Sequence, residues 1–313
     1  MAPPDALVRV LHGSVDLHCH SGPSPFPREL DHAEAAADGD RIRMRAILVK
    51  SHHHSTVMDL LAMSDRLAKA DTEAYGGIAL NSQVGGINPY AVAMALRMGG
   101  RAVWFPTFSS GRHIACHPEG DGFPTTSVPV PSARVDFTDD AGELIPEVYE
   151  VLDHVVEAGA LLSGGHNTPE LITQLFTAAK EHGVRRMVVN HPDFVIGAEP
   201  EQCLELVSLG AYVEHEWGMY DPEGYRKWDP KKLLTWIERI GPEHTVLASD
   251  LGQVGRPRPV DALLRVAAAL LDLGLPERDL QRMTRDNPAF LLGLDDRPTH
   301  RRQDRHQARP LAP

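Results

Sequence analysis

The chain is poor in cysteine, in long apolar runs and in basic residues. Its 313 residues include 3 cysteines with no CxxC pair, so neither a disulfide framework nor a zinc ribbon is expected. No stretch approaches the roughly 18 consecutive apolar residues of a membrane span, and the first residues lack the apolar segment of a secretion signal. The formal charge of −12 argues against a nucleic-acid partner. We therefore expect a cytoplasmic protein without membrane or nucleic-acid partners.

A glycine-rich dinucleotide motif is also missing after the first strand-like segment, which removes support for a nucleotide-binding sheet. The chain instead alternates short apolar segments with stretches whose apolar residues recur at helical spacing. Eight of the short segments are predicted strands: 15–20, 45–52, 75–82, 101–108, 160–166, 186–191, 211–216 and 245–250. Predicted helices lie between and after them at 56–69, 88–97, 146–158, 169–182, 200–209, 230–240 and 258–273.

This alternation predicts an α/β protein with a (β/α)8 TIM barrel, a fold of about 250 residues plus insertions. We expect one catalytic domain over residues 1–294 and a disordered, arginine-rich tail over 295–313. The irregular stretch 109–145 follows the fourth predicted strand, where it would rise over the barrel mouth. It has two interpretations, a lid over an active site or a small excursion with a hairpin in 133–145.

The segment VDLHCH suggests a metal site, because regular alternation would place His18 and His20 on one strand face with Asp16. A single histidine at a strand end is usually only a polar residue near a loop. Most of the other predicted strands also end in groups that can bind a metal, and a barrel gathers its strand ends at one mouth. The candidate ligands are His18, His20, His52, His166, His191, Glu214 and Asp250. They exceed the three or four protein ligands of one zinc ion, so two divalent metal ions are predicted.

Lys50 and His52 fall on the same face of the second predicted strand, toward the barrel interior. Lys50 is a candidate catalytic residue with three open roles: a modified side chain, a contact to a substrate anion, or an ion pair with Glu214. His52 is expected to bind metal, whereas the next residue, His53, is expected to lie in a loop and to touch substrate. Asp250 is the second candidate catalytic residue.

The order of these residues resembles the amidohydrolase superfamily of metal-dependent hydrolases. HCH stands on the first predicted strand, His166 on the fifth, His191 on the sixth and Asp250 on the eighth, and the resemblance covers about 15–294. It implies a divalent metal centre with Asp250 beside a metal-bound water. Binuclear members carry a bridging carboxylated lysine on the fourth strand, where this chain reads RAVWFPTFSS and has no lysine.

Four further segments, KSHHH, GGHNTPE, NHPDF and SDLGQ, resemble a smaller group of barrel proteins. That group includes the nonheme diiron monooxygenase of platensimycin and platencin biosynthesis. The resemblance implies iron, O2 and an electron donor, and hydroxylation of a coenzyme A thioester, such as a diterpenoid acyl chain, in secondary metabolism. Zinc and manganese stay open, because ligand type alone does not choose among these metals.

Three functions therefore compete. A diiron monooxygenase is favoured, because the missing bridging lysine and the added His52 describe a histidine-rich centre. A binuclear hydrolase of an amide, lactone or thioester is the alternative, and a metal-binding protein without catalysis is disfavoured. Candidate contacts for an acyl-CoA are the cations Arg28, Arg112, Lys227 and Arg256 and the aromatic residues Phe26, Phe108, Trp217 and Tyr220. The protein could form a homo-oligomer, and the sequence leaves its oligomeric state open.

Overall fold

The structure, a computed structural model, describes residues 5–117 and 128–294. The predicted tail, 295–313, lies outside the described residues, as does the part of the predicted lid over 118–127. The described strands are β1 (Val15–Cys19), β2 (Ala46–Val49), β3 (Glu73–Tyr75), β4 (Gly77–Ala79), β5 (Ala102–Trp104), β6 (Leu161–Ser163), β7 (Met187–Asn190), β8 (Ala211–Glu216) and β9 (Thr245–Ala248).

Helices follow most strands. They are α1 (Asp5–Leu11), α2 (His32–Asp40), α3 (Val57–Ala62), α4 (Ser64–Leu67), α5 (Pro89–Arg97), α6 (Gly111–Cys116), α7 (Pro146–Ala158), α8 (Pro169–His182), α9 (Pro200–Ser208), α10 (Trp217–Tyr220), α11 (Pro230–Ile240), α12 (Pro259–Asp272), α13 (Glu277–Gln281) and α14 (Asn287–Leu291). Many begin at a proline, which suits the first helical position because the N–H that it lacks would have no partner there. The single helix predicted over 56–69 is wrong, since the chain turns at Met63 and forms α3 and α4 instead.

All strand pairs are parallel, running from β1 to β3 and from β4 to β9. β3 and β4 together form the third predicted strand. Gly76 separates the two strands. Next to it, the Thr56 hydroxyl accepts a hydrogen bond from the N–H of Gly77 at 3.1 Å. The chain just after β9 contacts β1, where the N–H of Asp250 donates to the His18 carbonyl at 2.8 Å. The predicted α/β fold of TIM-barrel type is confirmed.

β1 departs from the regular alternation that the sequence predicted. Its register with β2 shifts between Asp16 and Cys19. Leu17 packs with the strand side chains of the barrel interior, whereas Cys19 packs among the outer helices. The Asp16 carboxylate accepts the backbone N–H groups of His18 at 3.0 Å and Ser249 at 2.9 Å. The expectation that Asp16 shares a face with the histidines is therefore wrong, because its carboxylate bonds the backbone of two strand ends.

The barrel interior has an apolar layer and a polar layer. The apolar layer comes from residues within the strands, with Leu48, Trp104 and Val246 among its members. Leu291 and Leu294, in and after α14, pack into the same layer. The later positions of the same strands carry buried polar side chains: Lys50, Ser163, Asn190, Glu214 and Glu216. Polar chemistry is thus concentrated at the carboxyl ends of the strands, where barrel active sites lie.

The described parts of 109–145 form two different structures, one at each end of the stretch. Residues 137–145 turn back on themselves, with a bridge between Thr138 and Leu144 and a packed ring contact between Phe137 and Phe105 at 5.2 Å. This agrees with the hairpin interpretation. The other end of the stretch forms α6, which the sequence did not predict, and α6 lies at the barrel mouth through His113.

None of the helices in the described ranges combines the length and the apolarity that crossing a membrane requires.

Candidate metal centre

Five histidines at the ends of four strands form a circle at the barrel mouth. They are His18 and His20 at β1, His52 after β2, His166 after β6 and His191 after β7. In that order around the circle, neighbouring ring centroids lie 5.0, 4.8, 5.9, 5.1 and 5.0 Å apart, the last distance returning to His18. All five are buried. The structure therefore brings together every histidine that the sequence suggested as a metal ligand.

In each of the five rings, Nδ1 faces a polar partner. The contacts are His18 to Glu214 Oε1 (2.9 Å), His20 to the Lys50 carbonyl (3.1 Å), His52 to Thr107 Oγ1 (2.8 Å), His166 to His113 Nδ1 (2.9 Å) and His191 to Glu216 Oε1 (2.9 Å). In the first four rings Nε2 is then the atom left to bind a metal, whereas the buried Nδ1 of His191 makes no hydrogen bond among the described residues. The buried Nε2 of His166 has no hydrogen-bond partner among the described residues. Metal-binding histidines typically engage their second ring nitrogen in this way.

The protonation of the histidines is set mainly by burial. Removal from water lowers the pKa of all five imidazoles, and for His191 it lowers the pKa to about 4. The nearby Lys50 ammonium lowers the pKa of His18, His52 and His166 further. Neutral imidazole is the form that binds metals, so the circle is ready to coordinate at neutral pH.

Asp250 brings a carboxylate oxygen into the same circle. Its Oδ1 lies 3.0 Å from His20 Nε2 and 3.5 Å from His18 Nε2. Burial on its own would raise the pKa of Asp250, but the neighbouring His18, His20 and His191 outweigh burial and hold that pKa well below its usual value. His18, His191 and Asp250 offer ligand atoms within 4.8 Å of one another.

The backbone is unusual at two residues of the centre. His191 has φ of 48° and Asp250 has φ of 51°. Residues other than glycine seldom adopt this left-handed conformation, because Cβ then crowds the backbone. Such strain is retained where the surrounding structure needs it, and functional sites are the usual place. His191 stands directly after β7 and Asp250 stands two residues after the end of β9, and both side chains line the mouth.

Lys50 also reaches the centre. Its Nζ lies 3.0 Å from His18 Nε2 and 5.5 Å from the centroid of the Trp104 ring. Burial lowers the pKa of Lys50 to about 8, although Asp250 and other carboxylates nearby favour the charged form. The ion pair with Glu214 that the sequence left open is not formed in the described part of the chain. The centre therefore contains a lysine, supplied by the second strand rather than by the fourth.

Two buried glutamates of β8 lie beneath the circle. Glu214 Oε1 accepts hydrogen bonds from the Asn190 amide and from His18 Nδ1. Glu216 Oε1 lies 2.9 Å from His191 Nδ1 and 3.3 Å from His18 Nδ1. Burial raises the pKa of both carboxyls, and the proximity of Glu214 raises that of Glu216 further. Together with His18, the two glutamates form a second group whose ligand atoms lie within 4.8 Å of one another.

The structure adds three residues to the centre that were not among the candidates. Glu216 carried a signal, because it is two positions from Glu214 and therefore shares its strand face. His113 and Thr107 carried none, since both lie in the stretch after β5 whose backbone follows no sequence period. They are the Nδ1 partners of His166 and His52.

A cavity opens above the circle, and it separates the predicted substrate contacts into two groups. Arg28, Phe26, Phe108 and Arg256 line it. Trp217 and Tyr220 do not. The Trp217 indole is buried and donates to the Pro259 carbonyl at 3.1 Å, and the Tyr220 hydroxyl donates to Asp193.

The remaining predicted contacts lie at the edge of this cavity or away from it. His53 is not among the lining residues, although its ring lies 5.3 Å from the Phe26 ring that does line the cavity. Arg112 donates from Nε to the Val195 carbonyl at 3.0 Å, and Lys227 is exposed.

With this geometry described, the relatives of the chain can be considered. A family model described as "Family of unknown function (DUF6282)" matches residues 13–214. The chain belongs to this family. The match includes the five histidines and Glu214 of the DUF6282 chain and ends before Asp250. A comparison with curated proteins gave no match.

Solved structures resemble this DUF6282 chain over nearly its whole length. An amidohydrolase from Pseudomonas aeruginosa has a TM-score of 0.54 at 10% identity and covers 92% of this chain and 97% of its own. The probable dipeptidase PvdM from the same organism has a TM-score of 0.57 at 12% identity, covering 93% and 98%. A mutant of organophosphorus hydrolase from Deinococcus radiodurans has a TM-score of 0.51 at 14% identity, covering 91% and 94%. At these identities the likeness is one of fold alone, and it agrees with the parallel α/β barrel described above.

Proposed function

We propose that this chain is a metal-dependent hydrolase whose centre holds two divalent ions. The observation that carries the proposal is the circle of five buried histidines, in which His18 and His191 offer ligand atoms within 4.8 Å of each other and of the Asp250 carboxylate. Hydrolysis is supported over oxygenation by the solved structures of like fold, which are named as an amidohydrolase, a dipeptidase and an organophosphorus hydrolase. These names support a reaction class and leave the substrate to be found.

The residues present fit two ions. His18, His20 and Asp250 would hold one, since Asp250 Oδ1 lies 3.0 Å from His20 Nε2 and 3.5 Å from His18 Nε2. The other three histidines of the circle, His52, His166 and His191, are proposed to hold the second. Glu214 was expected to be a ligand, and its contact with His18 Nδ1 supports a different role, in which it orients that ring. Iron, zinc and manganese are all compatible with imidazole and carboxylate ligands, and iron is the metal implied by the narrower sequence resemblance.

Bound divalent ions would polarise a carbonyl oxygen and make a water molecule more nucleophilic. Asp250 would accept the proton that leaves the attacking water, because it stays ionised and its Oδ1 faces the centre. The Lys50 ammonium would stabilise negative charge that develops on the substrate oxygen. Phe108 stacks on His52 at 4.0 Å and shields that side of the centre from bulk water.

The bond cleaved is proposed to be the acyl bond of an amide, a lactone or a thioester. A coenzyme A thioester stays among the candidates, with Arg256 at the cavity wall as a phosphate contact. One observation favours a second function, oxygenation at a diiron centre: five imidazoles outnumber the carboxylates that reach the circle. Lys50 does reach the centre from the second strand, so the lack of a fourth-strand lysine does not leave the centre without a lysine. This weakens the sequence argument for an oxygenase.

The two functions are separated by the source of the incorporated oxygen. Protein loaded in turn with iron, zinc and manganese would be incubated with esters, lactones, N-acyl amines and acyl-CoA thioesters in H2 18O, under air and under nitrogen. We expect equal turnover in both gases, with the label in the carboxylic acid product. Turnover that needs O2 and a reductant, with label from 18O2 entering the acyl chain, would establish the oxygenase instead.

A further inference from the structure

A half-buried arginine with no ion pair among the described residues lines the cavity beside the metal centre. The Nε atom of Arg28 is shielded from solvent and has no hydrogen-bond partner among the described residues. Burial lowers the pKa of this guanidinium to about 10, with Asp250 acting in the opposite direction from nearby, so Arg28 is cationic at neutral pH. A shielded guanidinium N–H without a hydrogen bond is costly, and the cost is recovered when an anion binds.

The position of Arg28 is fixed by its backbone. Arg28 pairs with Gln253 in an antiparallel bridge, and the N–H of Glu29 donates to the Gly252 carbonyl at 2.8 Å. The loop that supplies these partners begins at Asp250. The guanidinium of Arg28 and the carboxylate of Asp250 therefore belong to the same wall of the cavity.

The cavity wall is basic although the chain is acidic. The chain has a formal charge of −12, yet Asp250 is the single acid among the described lining residues, and it is already engaged with His20. Two arginines line the same cavity and stack on aromatic rings, Arg28 on Phe26 at 5.3 Å and Arg256 on Tyr225 at 4.3 Å. Stacking leaves the edge donors of a guanidinium available to an incoming anion.

We infer that the substrate carries a carboxylate next to the bond that is cleaved, and that Arg28 binds this carboxylate. The inference rests on the proposed hydrolase and adds its substrate class, an organic acid with an apolar body. The planar guanidinium matches a carboxylate through two parallel hydrogen bonds. The apolar body would lie against Phe26, Phe108 and Phe194, which line the cavity on the way to the histidine circle. A neutral analogue would leave the shielded Nε of Arg28 without an anionic partner.

The test compares a charged and a neutral ligand of the same shape. Calorimetric titration of the metal-loaded protein with 3-phenylpropanoate and with 3-phenylpropanamide measures the preference for the carboxylate. We expect the acid to bind about 10- to 100-fold more tightly, the range given by hydrogen bonds to a charged group. Arg28→Gln should abolish the preference for the carboxylate. Arg28→Lys keeps the positive charge without the planar guanidinium and should retain part of the preference. The matched control is Arg278→Gln, which removes a charge from an exposed position and should keep the full preference.

Metal content is measured in every variant, because a carboxylate could also bind the metal ions directly. A carboxylate preference that persists in Arg28→Gln with its metal intact would overturn the inference, as would equal binding of acid and amide to the parent protein. Should Arg28→Gln not fold, Arg28→Lys decides by the same comparison. A different result would count against the proposed hydrolase: the preference for the carboxylate would depend on Arg28, but no ester, amide or thioester would be cleaved. Equal hydrolysis of neutral and acidic esters would keep the hydrolase and overturn the role of Arg28.

Discussion

Neighbouring histidines in the segment KSHHH have different surroundings. His52 is held by Thr107 within the circle, whereas the ring of His53 faces Phe26 outside it. We expect His52→Ala to lose metal, because one imidazole ligand is removed, and His53→Ala to keep the metal content of the parent. Elemental analysis of both variants after the same loading checks this. Equal metal content in the two variants would contradict the assignment.

Asp16 offers a test of buried charge. Burial raises its pKa from the ordinary 3.8 to about 6, so the folded protein binds more protons than the unfolded chain between these values. The stability of the metal-free protein should therefore fall as pH rises through this window. Asp16→Asn keeps an acceptor for the His18 and Ser249 N–H groups without the charge.

We expect Asp16→Asn to stabilise the metal-free protein at pH 7 by about 3 kcal/mol, since one pKa unit corresponds to about 1.4 kcal/mol. The gain should vanish below about pH 3, where the parent carboxyl is protonated in both the folded and the unfolded state. Urea unfolding at both pH values measures the difference. A variant less stable than its parent at pH 7 would show that the charged form of Asp16 is needed for folding.

Single residues were predictable from sequence where a strand period applied to them. His18, His20, His166, His191 and Asp250 each stand at the end of a strand-like segment, and a barrel brings such ends together. Trp217 and Tyr220 follow β8 in the same way, but their orientation depends on α10, a helix of one turn that leaves no pattern in the sequence. Residue type and position alone could not show that these two rings face the core.

The element that most affects the centre is β8. Its alternation directs Glu214 and Glu216 inward, and places His215 on the outer face, where its ring lies 5.1 Å from Trp236. We expect Glu216→Gln to weaken metal binding about 10- to 100-fold while the protein stays folded, because the carboxylate 2.9 Å from His191 Nδ1 would be replaced by a neutral amide. Competition with a chelator of known affinity measures the change. Glu205→Gln on the exposed face of α9 is the control and should bind metal like the parent.

Helices were predictable where an apolar stripe faced the barrel. α7 and α8 were found with the right bounds, since Val148, Val151, Leu152 and Val155 recur on one face of α7. α2, with the sequence HAEAAADGD, was not predicted, because its buried face consists of small and polar residues without an apolar period. α6 was missed for the same reason, and the contact between His113 and His166 was missed with it.

At the scale of the whole molecule, the fold could be predicted from the repeated alternation of strand and helix, because few topologies accommodate that alternation. The circle of histidines could then be predicted from the fold. The interruption of the third strand at Gly76 and the irregular register of β1 did not, because each depends on one side chain, Thr56 or Asp16, bonding a backbone group far away in sequence.

The stability of the whole molecule should depend on metal. The centre draws its proposed ligands from the ends of five strands, so ions bound there would join both halves of the barrel and bind the folded state alone. At a free metal concentration 100 times the dissociation constant, binding should add about 2.7 kcal/mol of stability. We expect chelation to lower the Tm, and stepwise addition of metal to restore it. A Tm that changes neither on chelation nor on addition of metal would contradict a structural contribution of the ions.

The most direct measurement of the central claim is anomalous diffraction from crystals of the metal-loaded protein, recorded at the absorption edge of the metal. The account predicts two anomalous peaks within the circle of five histidines. The Nε2 atoms of His18, His20, His52, His166 and His191 should be the coordinating atoms, Asp250 should bind one of the ions, and Glu214 and Glu216 should stay at the Nδ1 atoms. A single peak, no peak, or coordination through Nδ1 with the glutamates displaced would contradict it.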